Sequence, residues 1–255
     1  MKYRKFSLFV LAVLIFEMLV ACSPSVVSTP VKEVTATPIA STPTKTVKPT
    51  STPSPTMTPN VVATQQYENL FSQVQGFKDQ GYIPVTKGTY VMLPDFKESW
   101  AQLGWYQWWE PDFDINVENF VLSAHFSWES ASTVADNSGC GIVFALQEDG
   151  RNYAVFLDKA RVYFTISTTQ YYYEIGKTKG TGRVQFENPA EADFSLVVFQ
   201  TKSYVFVDGE FVGEYSLSTD QPLKGKIAYS LLSGTNKDYG TRCEITNSKL
   251  WVLTP

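Results

Sequence analysis

Glu110, Asp112, Asp114 and Glu118 bring four carboxylates together early in the chain. In an extended segment alternate side chains share a face, so Asp112, Asp114 and Glu118 project on the same side. Oxygen donors grouped in this way can hold calcium, whose coordination tolerates varied geometry. An acidic surface loop accounts for the same residues without any ligand. Just before them runs Trp100-Ala-Gln-Leu-Gly-Trp-Tyr-Gln-Trp-Trp109, with Trp105, Trp108 and Trp109 as candidate ligand contacts. Aromatic rings mostly bury core area, but adjacent Trp108 and Trp109 cannot both point inward from one strand. One of them should face outward, and an exposed ring marks an interaction surface. Tyr171-Tyr172-Tyr173 poses the same question. His125 is the only histidine, and no Cys-x-x-Cys spacing accompanies it, so a transition-metal site lacks ligands.

The elements that must position these residues are mostly strands. Phe120, Leu122, Ala124, Phe126 and Trp128 alternate with Val121, Ser123, His125, Ser127 and Glu129, a period of two with one apolar face. If that strand lines a concave sheet, His125, Ser127 and Glu129 point into a groove; otherwise they form a solvated face. Asp149-Gly150 and Asp208-Gly209 each separate two apolar runs, a strong hairpin signal. Further strands are expected at 161–166, 171–175, 182–186, 194–200, 225–231, 241–246 and 249–253. One short helix is expected from Tyr67, Leu70, Phe71, Val74 and Phe77. Many short strands separated by turns indicate an all-β antiparallel jelly-roll sandwich after residue 65, with that helix at its start.

Upstream lie two other kinds of segment. Residues 1–21 combine a basic start (Lys2, Arg4, Lys5) with an apolar stretch from Phe6 to Ala21, ending Leu19-Val20-Ala21-Cys22. The stretch is shorter than the roughly twenty residues of a membrane span. Glu17 interrupts it, and a buried carboxylate costs several kcal/mol. The segment resembles a bacterial lipoprotein signal peptide, which implies cleavage before Cys22 and lipidation of that cysteine. The membrane, reached through this lipid anchor, is then a partner, and the expected location is the outer face of the cytoplasmic membrane or the cell surface. Residues 22–64 are rich in Ser, Thr and Pro, with Thr-Pro at Thr29-Pro30, Thr37-Pro38, Thr42-Pro43, Thr52-Pro53 and Thr58-Pro59. With few large apolar side chains the segment cannot offset its ordering entropy, and it is expected to be a disordered stalk.

Residues 65–255 are long enough for one domain with a sizeable core. The chain carries 21 Lys and Arg against 25 Asp and Glu, a net charge of −4, and the excess of acid lies in this domain. Such a surface repels phosphates, and nucleic acid is not expected as a partner. In an exported protein Cys140 and Cys243 are expected to form a disulfide.

The segments Gly139-Cys-Gly-Ile-Val-Phe144, Asn152-Tyr-Ala-Val-Phe-Leu157, Phe194-Ser-Leu-Val-Val198, Tyr204-Val-Phe-Val-Asp-Gly209, Gly225-Lys-Ile-Ala228 and Leu250-Trp-Val-Leu253 resemble concanavalin-A-like and laminin-G-like jelly-roll domains. Such sandwiches host lectins, glycanases and structural modules alike. Asp112-Phe-Asp114-Ile-Asn-Val-Glu118 is similar in spacing to the catalytic strand of laminarinase-like glycoside hydrolases, which implies a nucleophile, an assisting acid and a general acid/base. Asp112 stands where that motif has Glu, and the shorter side chain misplaces the attacking oxygen by about an ångström. The preferred expectation is therefore a non-catalytic, lipid-anchored module that binds carbohydrate through Trp105, Trp108, Trp109, His125 and Glu129. It needs no cofactor, calcium aside. The alternatives are a glycoside hydrolase, or an adhesion module for an envelope protein.

Overall fold

The computed structural model describes residues 61–111, 115–134, 136–176 and 185–255. It opens with one helix, α1 (Val61–Asp79). Fourteen strands follow among the described residues: β1 (Gly88–Met92), β2 (Phe96–Trp100), β3 (Trp105–Trp109), β4 (Asn116–Val117), β5 (Phe120–Ser130), β6 (Gly139–Leu146), β7 (Asn152–Leu157), β8 (Val162–Ser167), β9 (Tyr172–Glu174), β10 (Ala190–Phe199), β11 (Lys202–Val207), β12 (Glu210–Ser216), β13 (Gly225–Ser233) and β14 (Thr241–Leu253). They form two antiparallel sheets. The first has the order β1-β14-β5-β10-β11-β12, with β2 also on β14, and the second has β3-β13-β6-β7-β8-β9, with β4 on β13. The fold is the expected jelly-roll sandwich.

The helix begins at Val61, so four residues of the expected stalk are helical. The last proline, Pro59, lies before them, and nothing beyond it interrupts helical hydrogen bonding. The strands expected at 241–246 and 249–253 are one strand with a register shift between Thr246 and Lys249. Asn247, at φ 52°, takes up the extra residue. Most of the strand expected at 182–186 lies outside the described residues. Strands β1, β2 and β4 were not expected: they are short, and three of the five residues of β2 are exposed.

Period two in β5 places Phe120, Leu122, Ala124, Phe126 and Trp128 inside, against Ile142, Phe144, Tyr153, Phe164 and Phe194. Phe126 stacks on Phe194 at 4.6 Å and Phe164 on Tyr215 at 4.4 Å. At Asp208-Gly209 both residues have positive φ (51° and 81°), the twist that a two-residue hairpin requires.

The first sheet is apolar on part of its outer face as well. Val121, Val197, Phe206, Trp251 and Leu253 are buried there under Leu70, Val74 and Phe77 of α1. The Phe77 ring lies 4.7 Å from Phe206, Phe71 lies 5.2 Å from Trp251, and Trp251 Nε1 donates to the Thr86 carbonyl at 3.1 Å.

Cys140 on β6 and Cys243 on β14 are disulfide-bonded, with Cα atoms 5.4 Å apart, and so tie one sheet to the other. The bridge closes a loop of 103 residues, for which chain entropy gives about 4–5 kcal/mol. The double variant Cys140→Ala/Cys243→Ala should lose stability of that order, read as a lower midpoint in urea unfolding. An unchanged midpoint would show that the bridge does not constrain the unfolded chain.

Candidate functional site: a concave aromatic face

The tryptophan run divides between two faces, as period two requires. Trp109 turns inward and packs on Phe96 at 5.4 Å, beside Tyr229. Tyr106 and Trp108 take the opposite, outer face of the second sheet. Trp105, the first residue of the edge strand β3, is 63% exposed. The candidate ligand contacts Trp105, Trp108, Trp109, His125 and Glu129 therefore do not share one groove. Strand β3 pairs with β13 in the second sheet, whereas His125 and Glu129 lie on β5 in the first. The sandwich interior separates them, and Trp109 is part of that interior.

The second sheet curls, and its outer face is a trough. Its central strands carry small outward residues: Ala228 and Ser230 on β13, Gly141 on β6, Ala154 on β7 and Thr165 on β8. A Cβ at Gly141 would stand 2.2 Å from the Phe156 ring, so that ring lies directly over this glycine. Larger side chains fold in from the edges over this floor. Tyr106, on one edge strand, reaches across to β7 and β8. Its hydroxyl donates to Asn152 Oδ1 at 3.2 Å and pairs with Ser167 Oγ at 3.0 Å. Its ring lies 5.6 Å from Tyr172 on the opposite edge, 5.8 Å from Trp108 and 5.2 Å from Phe156. The Tyr172 hydroxyl donates to the Tyr163 hydroxyl at 3.1 Å. Burial pushes the Tyr106 and Tyr172 phenols up from the usual tyrosine range. Arg161 stacks over Tyr163 at 4.5 Å. Val143, Leu146 and Leu232 complete the apolar lining.

One end of the trough is open. There Trp108 and Leu146 border a cleft of about 710 Å³ whose other side chains are polar: Glu110, Asn116, Gln147, Glu148, Asp149, Arg151 and Lys226. Lys226 Nζ meets Glu110 Oε2 at 2.8 Å, and Arg151 Nε meets Asp149 Oδ2 at 2.8 Å. Gln147 Nε2 donates to the Ala145 and Lys224 carbonyls. The loop carrying Gln147–Arg151 is held by backbone bonds from Gln147 N to Arg151 O at 2.9 Å and from Gly150 N to Gln147 O at 3.0 Å. One flat ring beside convergent, pre-oriented donors and acceptors is the composition of a site for a ligand with an apolar face and polar edges.

The outer face of the first sheet is polar where α1 does not cover it. His125 Nδ1 lies 2.9 Å from Asp193 Oδ1. Glu129 lies 3.7 Å from Arg242, whose guanidinium sits 3.7 Å over the Tyr239 ring. Burial lowers the Lys249 ammonium from the usual lysine range, and the charge of Asp193 opposes that shift. Glu118 is exposed in the turn between β4 and β5, and Asp112 and Asp114 lie outside the described residues. Among the described residues no group of three or more His, Cys, Asp or Glu side chains could hold a metal ion.

Sequence reasoning reached Trp108 through period two and named Tyr172 within the tyrosine run. It named Tyr106 only within the aromatic run 100–109, and it missed Tyr163, Asn152 and Ser167. Their only local signal is the period-two set Tyr163, Thr165 and Ser167, which resembles any half-polar strand face.

No family model matches this chain, and no curated protein does. Solved structures of similar fold include the carbohydrate binding module CBM66 from Bacillus subtilis, 9% identical over 63% of this chain and 94% of that one, with a TM-score of 0.43. An Aspergillus kawachii beta-fructofuranosidase is 14% identical over 66% of this chain and 28% of that one, TM-score 0.43. Sheep galectin-11 is 11% identical over 56% of this chain and 98% of that one, TM-score 0.34. The likeness is one of architecture, and the ligand has to be argued from this chain's own surface.

The rim of the trough carries a buried carboxyl. Burial raises Asp158 from the usual carboxylate range, and Arg161, at 3.0 Å from it and 3.2 Å from Glu174, pulls it back. Arg161→Met should cost on the order of 3 kcal/mol at neutral pH, because one partner of a largely buried pair is lost. Without the guanidinium the folded-state pKa of Asp158 rises further above its unfolded value. The folded variant then binds its proton more tightly, and its deficit should shrink as pH falls through that raised pKa. Urea unfolding of both proteins at neutral and mildly acidic pH checks this; a deficit that grows on acidification would contradict it.

Proposed function

We propose that this chain is a lipid-anchored extracytoplasmic module that binds carbohydrate without cleaving it, at the open end of the trough. The observation that carries the reading is the Trp108 ring set beside a cleft of mixed donors and acceptors. A sugar ring has one face of C–H groups, which suits an aromatic platform, and an edge of hydroxyls that both donate and accept. The cleft offers carboxylates, amides, a guanidinium and an ammonium, which satisfy hydroxyls of either polarity. Its volume suits two or three sugar units, and four of its five charges meet in two ion pairs, Lys226 with Glu110 and Arg151 with Asp149, which favours a neutral ligand over an ionic one. Membrane attachment rests on the Leu19-Val20-Ala21-Cys22 pattern and the proline-dotted segment after it. Diacyl or triacyl modification would give the stable anchoring that one chain does not.

A glycan array should show binding of the mature chain to a polysaccharide. Trp108→Ala should weaken that binding by about thirtyfold, the cost of about 2 kcal/mol typical of an aromatic hot spot. Trp105→Ala should leave it unchanged, and Trp109→Ala should lower stability instead, since that ring is in the core. Absence of binding to every polysaccharide, with capture of an envelope protein instead, would sink the carbohydrate reading. Separately, Cys22→Ala should move the protein from the membrane to the soluble fraction and abolish incorporation of labelled fatty acid.

A further inference from the structure

A second groove, on the other side of the molecule, runs between α1 and the first sheet, with a volume of about 780 Å³. Its helical wall is a stripe of Val62, Gln65, Gln66, Asn69, Gln73 and Phe77 at spacings of three and four residues, which share one flank of a helix. Exposed flanks of soluble helices usually carry Lys, Arg and Glu; this one carries uncharged amides. The facing wall comes from the sheet rows that α1 leaves open: Ser123 and His125 on β5, Asp193 and Ser195 on β10, Asp208 after β11, and Lys249 on β14. These groups are already arranged. His125 pairs with Asp193, and Asp208 Oδ1 accepts from the Asp193 backbone N–H at 2.9 Å while its own N–H donates to the Asp193 carbonyl at 2.8 Å. Gln66, on the helical flank, has a side-chain Oε1 with no hydrogen-bond partner among the described residues, so its amide is free to turn toward a ligand without breaking a bond at that oxygen.

From this arrangement we infer a second ligand site, for a neutral polyhydroxylated molecule of about two or three sugar units. The amides and hydroxyls supply donors and acceptors in similar number. Asp193 and Asp208 repel phosphate and other anions, and the Lys249 ammonium opposes a cation. The floor is too polar to reward an apolar ligand. The site belongs to the opposite sheet from the trough and does not depend on it, so the molecule would bind saccharide at two places and could hold two chains or two segments of one.

The test uses the mature chain in detergent micelles with a panel of neutral oligosaccharides: maltotriose, cellotriose, xylotriose and kestose. In 15N–1H correlation spectra one of them should shift the side-chain NH2 signals of Gln65, Asn69 and Gln73. The triple variant Gln66→Ala/Asn69→Ala/Gln73→Ala keeps a strong helix former at each position. It should weaken that binding at least tenfold and leave ligand binding at Trp108 intact. Trp108→Ala should do the reverse, and added salt should change the groove affinity little. Oligosaccharide binding that Trp108→Ala abolishes and the triple variant leaves untouched would overturn the second site while sparing the first. Unshifted amide signals across the whole panel would also overturn it.

Discussion

Both sheets carry apolar residues on both faces, and a sandwich has only one interior. The outer apolar rows therefore have to be covered by other means, and the two sheets use different ones. On the first, α1 lays Leu70, Val74 and Phe77 over Val121, Val197 and Phe206. On the second, the sheet curls until Tyr106 and Tyr172 meet over Val143, Ala154 and Phe156. Each cover stops short of the end of its sheet, and the two candidate sites lie where the covers stop. Ligand grooves here are a by-product of how the second face of each sheet is shielded from water.

The trough depends on small residues interspersed among larger ones on its floor. Gly141, Ala154, Thr165 and Ala228 leave room beside Val143, Phe156 and Leu232 for Tyr106 and Tyr172 to fold inward from the edge strands. Gly141 is a point of close approach, because a Cβ there would meet both the Phe156 ring and the Val155 carbonyl. The hydroxyls of Tyr106 and Tyr172 are paired with Asn152, Ser167 and Tyr163, so closing the rim leaves few polar atoms unsatisfied. Arg161 fixes the far rim by bridging Asp158 and Glu174 while stacking on Tyr163.

Much of the fold was legible because its signals are local. The alternation in β5 gave its inward face residue by residue, and Asp149-Gly150 and Asp208-Gly209 gave their hairpins through the positive φ each requires. The disulfide followed from the cysteine count and the expectation of export. The site was legible only in part. Period two said that Trp108 and Trp109 must face opposite ways, and they do. It could not say which sheet β3 joins, because that is decided by pairing with β13, far along the chain. The proximity of Tyr106 to Tyr172 is likewise a product of sheet curvature, which no stretch of ten residues encodes. The polar residues of β5 were read correctly as outward, but what faces them, the amide flank of α1, is a tertiary contact.

The disulfide bears on this arrangement more than on stability alone. It joins β6, which lines the trough floor, to β14, which carries Trp251 beneath α1 and Lys249 in the groove. Two sheets held only by apolar packing can slide by small amounts, since dispersion contacts are non-directional. A covalent link between central strands removes that freedom, at a point where both partners are fully enclosed and Cys243 pairs with Trp128. The floor of the trough and the wall of the groove are thereby fixed relative to one another, and each can stay preformed while empty. Preformation lowers the cost of ordering a site at the moment of binding. That matters most for neutral saccharides, which bring little burial and no charge to offset such a cost.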